Sequence, residues 1–127
     1  MRTLKYGILV LAAGISTAAL ANPATPRGEV GYATGALGYD ALVAGDLNRA
    51  ETQLDAMNGV SANDPARLLN LANVYMRTGR TAEARNLLIA VRDSRTSFDV
   101  ELANGRVAST RDVARMAMAR MDRVAEL

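Results

Sequence analysis

The chain has 127 residues and contains neither cysteine nor histidine. That removes disulfides, the usual zinc ligands, the imidazole base and the thiol nucleophile. The formal charge is +2, yet residues 22–127 hold 13 Arg, no Lys and 13 Asp plus Glu, so the excess rests on Arg2 and Lys5 alone. Interspersed signs on a neutral body argue against the basic face that nucleic acid requires.

Arg2 and Lys5 precede an apolar run from Ile8 to Leu20, and Ala19-Leu20-Ala21 places small residues at a cleavage position. This predicts a secretory signal peptide over residues 1–21, cut before Asn22, and a periplasmic or secreted protein. The run is too short for a confident span, so a membrane enters only if the segment stays uncleaved. Residues 22–28 hold Pro23 and Pro26 and read as a flexible tether.

A first helix is expected from about Glu29 to Ala44, although Gly31, Gly35 and Gly38 each cost about 1 kcal/mol relative to Ala. With no Lys after Lys5, this glycine-rich stretch lacks what a phosphate loop needs. Gly45 ends the helix, and Asp46 caps a second one over Leu47–Met57. Asn58-Gly59 breaks the chain. Asn63-Asp64-Pro65 starts a third helix that runs to Thr78. Gly79 closes it, and Thr81 is expected to cap a fourth helix reaching about Arg92, with Glu83 suited to its first turn.

Beyond residue 97 the pattern changes. Phe98, Val100 and Leu102 alternate with Asp99 and Glu101, then Asn104-Gly105 precedes Arg106-Val107-Ala108. Alternation around Asn-Gly predicts a short β-hairpin at about 98–108. A last helix is expected over about 110–125, with an apolar arc of Val113, Ala114, Ala117, Met118, Met121, Val124 and Ala125. Met116 points away from that arc. The arc suits a helix that caps the open end of a stack.

Set against itself at a period of about 34 residues, the chain repeats its own skeleton, and such a period marks a helix-turn-helix solenoid unit. Leu37 falls on Leu71, Gly45 on Gly79, Ala50 on Ala84, Leu54 on Leu88 and Ala56 on Ala90. Gly38 falls on Ala72 and Met57 on Val91, preserving size class.

The blocks LGYDALVAGDLNRAETQLDAM and LANVYMRTGRTAEARNLLIAV resemble tetratricopeptide repeats. Leu68, Leu71, Ala72, Tyr75, Gly79, Ala84, Leu88 and Val91 supply the second repeat. Leu37, Gly38, Gly45, Leu47, Ala50, Leu54 and Met57 supply the first, which departs from the family at Thr34 and at Ala41, where an aromatic is expected. The resemblance implies a mainly α fold: a two-repeat solenoid, repeats at about 31–64 and 65–98, with the short hairpin and a C-terminal capping helix, forming one domain over 29–127. Two repeats fall short of the three usually needed to stand alone.

The resemblance also implies a non-enzymatic scaffold that binds a protein or peptide partner, with no cofactor, no metal and no nucleic acid. The first helix of each pair lines the concave face in such arrays. The matching positions are Tyr32, Gly35, Tyr39, Leu42 and Val43, then Ala66, Leu69, Asn73, Met76 and Arg77. Asn70 matches a position that holds a ligand's main chain in related arrays. The expected partner-binding set is therefore Tyr32, Tyr39, Asn70, Asn73, Met76 and Arg77. For Tyr32 and Tyr39 packing against a neighbouring helix is the competing role, and Asn70 can be a plain polar helix residue. Two alternatives stand beside the concave face: a binding face on the last helix at Met116 and Arg120, and a structural subunit that self-associates or caps a larger repeat assembly.

Overall fold

A computed structural model describes residues 8–9 and 31–127. The expected leader and tether lie outside the described residues, except for Ile8–Leu9, which form a two-residue strand, β1. Helices α1 (Tyr39–Ala44) and α2 (Leu47–Asp55) make the first pair, α3 (Pro65–Arg77) and α4 (Thr81–Asp93) the second. Strands β2 (Asp99–Leu102) and β3 (Val107–Ser109) follow, then α5 (Thr110–Ala125). The fold is mainly helical, with paired helices, an antiparallel hairpin and a final helix, and is tetratricopeptide-like.

The helix starts follow from side-chain chemistry. Asp46 accepts the Arg49 amide, Asp64 accepts the Arg67 amide, and Ser109 accepts the Asp112 amide. Each satisfies one amide that the first turn would leave unpaired. Pro65 opens α3, where a missing N–H costs nothing. The fourth helix differs from expectation. Arg80 occupies the cap position without a capping bond from its side chain, and Thr81 is already helical.

The first helix is the larger correction. The sequence pattern predicts Glu29–Ala44, and among the described residues of that stretch only Tyr39–Ala44 is helical. Gly35 and Gly38 stand at φ +82° and +65°, a left-handed backbone that interrupts any right-handed helix. Residues 31–38 instead run as a series of turns. Gly38 also faces α2 closely: a Cβ there would lie 3.2 Å from the Ala50 carbonyl oxygen and 3.4 Å from its Cα. Small residues at 38 and 50 thus allow the first pair to close, the role that the repeat alignment assigns them.

Packing runs in sequence along the stack, α1 on α2, α2 on α3, α3 on α4 and α4 on α5. One buried cluster joins Leu69, Leu88, Val91, Val100 and Val113, so the second pair, the hairpin and α5 share a core. A smaller one joins Leu42, Leu54, Leu71 and Val74 across the two pairs. Arg67 seals the junction. It is 7 % exposed, and its guanidinium donates to the Leu54 and Ala62 carbonyls at 2.8 and 3.1 Å.

The hairpin is β2–β3 antiparallel, with Val100 opposite Ala108, and Leu102 accepts and donates around the Asn104-Gly105 turn. β1 joins the other edge of β2 in parallel, Ile8 opposite Glu101 and Leu9 opposite Leu102. Within the described residues the sheet order is β1-β2-β3. No helix among them is long and apolar enough to cross a membrane.

Candidate partner-binding site

The six residues expected on one concave face take different roles. Asn70 is fully buried, and its amide nitrogen donates to the Leu37 carbonyl at 2.8 Å. Asn73 is 3 % exposed. These two lie inside the protein rather than on an open face. For Asn70 the cause is the turn segment 31–38, which the shortened α1 leaves free to lie against α3. The Asn70 Oδ1 and Asn73 Nδ2 atoms are buried without a hydrogen-bond partner among the described residues.

Tyr32 reaches the start of α3. Its hydroxyl donates to the Asp64 carboxylate at 3.1 Å, and its ring packs on the main core. Burial, reinforced by the adjacent carboxylate, pushes its phenol well above the ordinary tyrosine range. Tyr39 packs against the smaller cluster. Arg77 donates to the Leu42 carbonyl at 3.1 Å, near the C-terminal end of α1. Both arrangements tie the first pair to its surroundings. Of the six, Met76 borders an open groove.

That groove has a volume of about 310 Å³. It opens between the C-terminal turn of α3, the hairpin and α5. Met76, Leu102, Met116 and Ala117 supply its apolar surface, and Asn104 stands at the hairpin turn. Arg106, Arg120 and Arg123 line the same opening. Three cations and no carboxylate border it among the described residues.

Met116 is separable in the sequence, because it falls off the apolar arc of α5. It is 38 % exposed, an unusual state for a methionine beside a core. Arg120 lies one helical turn further on. Arg106, Arg123 and Leu102 carry no local signal, since their meeting depends on how the hairpin packs on α5. Met118 is buried and Met121 half-buried, both against the main core.

Elsewhere the polar contacts bind elements together. Arg80 makes a bidentate pair with Glu51 at 2.6 and 2.8 Å, joining α4 to α2, and its guanidinium lies 4.2 Å from the Tyr75 ring centre. The hydrogen bonds from Arg80 hold the Glu51 carboxyl below its usual range. Arg111 donates to the Arg92 and Ser94 carbonyls at the end of α4. No group of three or more acidic, histidine or cysteine residues is placed to hold a metal among the described residues.

Comparison with protein families matches residues 41–107, more than half of the chain, to the model for tetratricopeptide repeats. Comparison with curated proteins and with solved structures gives no match. Repeats of this family mediate protein–protein interaction or scaffolding and are typically non-catalytic. With its paired helices, its small-residue contacts at Gly38 and Ala50, and this match, the chain belongs to the tetratricopeptide repeat family.

Proposed function

We propose that this protein is an exported, non-enzymatic adaptor that holds a segment of another envelope protein in the groove between α3, the hairpin and α5. The observation that carries this reading is the groove itself, with exposed Met116 beside Met76 and Leu102. Methionines suit adaptable contacts because they are flexible and polarisable. Of the expected concave face, Asn70, Tyr32 and Arg77 are engaged internally by their own bonds.

The sheet edge supports the same reading. Ile8–Leu9 pair with the outer edge of β2, and both fall within the expected leader. A chain cut before Asn22 lacks them. The outer main-chain groups of Glu101 and Leu102 then offer an edge to an extended segment.

Amino-terminal sequencing tests export, with a start at Asn22 expected and a start at Met1 against it. Affinity capture from an envelope fraction tests the groove. Met116→Asp should lose the captured protein while keeping the melting temperature, since the residue is largely outside the core. Capture unchanged by Met116→Asp would place the contact elsewhere. Light scattering that shows a stable dimer, dissociated by the same substitution, would favour a self-associating subunit.

A further inference from the structure

The groove has a charge pattern that the rest of the chain does not share. Arg67, Arg80, Arg85, Arg92 and Arg115 each meet a carboxylate. Arg77 and Arg111 are held by main-chain carbonyls. Arg106, Arg120 and Arg123 have no side-chain partner of either kind among the described residues, and all three border one opening. Arg49 and Arg95, also without such a partner, lie exposed elsewhere. On a body whose charges balance overall, this is a local excess of positive charge.

Arg120 and Arg123 are three residues apart on α5, which places them on one side of the helix. Arg106 comes from the hairpin, beyond the Asn104-Gly105 turn. Like charges brought together repel, and an anion between them relieves that cost. Guanidinium groups meet carboxylates through two parallel N–H···O bonds. Beneath them Met76, Leu102 and Met116 form apolar surface that an anion alone would leave uncovered.

We infer that the occupant of this groove is an acidic peptide segment, with Glu or Asp carboxylates on Arg106, Arg120 and Arg123 and an apolar side chain on Met76, Leu102 and Met116. The inference rests on the adaptor reading above and specifies its partner's chemistry. Arg120 and Arg123 lie beyond the stretch matched to the repeat family, while Met76, Leu102 and Arg106 lie within it, so the site joins the second repeat and hairpin to α5. Single-stranded nucleic acid is a poorer fit, because no aromatic ring among the described residues borders the groove to stack a base. A planar headgroup layer is poorer too, since it reaches rim cations without filling the recess between helix and hairpin.

The test uses the protein as it accumulates in the cell, titrated with a short labelled peptide of Glu and Leu residues and its Gln and Leu counterpart. The Glu peptide should bind, shift the methyl resonances of Met76 and Met116, and weaken with added salt. Arg120→Gln with Arg123→Gln should weaken binding about tenfold or more. Arg49→Gln with Arg95→Gln should leave it unchanged. Equal binding of the Gln peptide at Met76 and Met116 would overturn the acidic specificity and leave the adaptor groove standing. Neither peptide moving those methyls would overturn both. Tighter binding to anionic phospholipid vesicles or to an oligodeoxynucleotide, lost in the Arg120 and Arg123 variant, would reassign the site to that ligand.

Discussion

The two helix pairs share a repeat skeleton and are built differently. In the second pair both helices run for 13 residues. In the first, α1 has six, preceded by turns at Gly35 and Gly38. The shared positions still pack: Ala50 and Ala84 are both buried, as are Leu54 and Leu88. Yet Leu37 joins the main cluster while its counterpart Leu71 joins the smaller one. A repeat can therefore preserve its helix-helix contact while giving up the outer half of a helix. The released segment, bonded through the Leu37 carbonyl to Asn70, becomes part of the neighbouring pair's core.

The comparison breaks most readily at the leucines. Leu88→Ala should cost about 2–5 kcal/mol through the cavity it leaves. Leu54→Ala should cost less, because its cluster is the smaller and nearer the shortened helix. Denaturant midpoints at constant slope decide between them, and a larger loss at Leu54 would mean that the first pair is the stability core.

Asn70→Ala isolates the link between the pairs. It removes the Asn70 donor from the Leu37 carbonyl, at about 1–3 kcal/mol. Hydrogen exchange should then speed up in the segment from Gly38 to Gly45 while α4 stays protected. Uniform loss of protection would show that the two pairs open as one unit.

Gly38→Ala sharpens the backbone argument. The added Cβ would sit on a left-handed residue and meet the Ala50 backbone. The left-handed conformation alone should cost about 1–2 kcal/mol, read from a denaturant midpoint. Ala72 occupies the matching place in α3 at no such cost. A neutral Gly38→Ala would mean that the turn can wind into helix, extending α1 backwards.

Tyr32 gives the smallest effect and a pH signature. Its folded phenol keeps its proton to higher pH than an unfolded tyrosine, whose pKa is about 10. The associated stability is complete below that value and declines as pH rises beyond it. Tyr32→Phe should cost about 0.5–1.5 kcal/mol at neutral pH by removing the bond to Asp64. It should also flatten the alkaline decline, leaving the part due to Tyr75, whose phenol is likewise raised by burial. Parallel alkaline profiles for the two proteins would remove Tyr32 from the account.

Much of this architecture is legible in the sequence, because its signals are local. Asp46, Asp64 and Ser109 mark helix starts through bonds that close within three residues. Asn104-Gly105 marks the hairpin in the same way. The length of α1 is not legible, because the repeat period reports on packing positions, and those survive when the helix between them unwinds. The cap of α4 lies one residue before the expected one, since Arg80 takes that position without a capping bond from its side chain. The groove is the least legible feature. Met76 and Met116 come from distant parts of the chain, and Arg106 reaches the opening only because the hairpin folds against α5. Asn70 and Asn73 look like contact residues on a helix wheel, which cannot show a segment lying over them.

The central claim is that a protein partner sits between α3, the hairpin and α5. Site-specific photo-crosslinking in cells tests it directly, with the reactive side chain placed at position 116 in one variant and at position 83, exposed at the start of α4, in another. The account predicts a discrete crosslinked partner from position 116 and none from position 83. A partner trapped from position 83 and not from position 116 would contradict it.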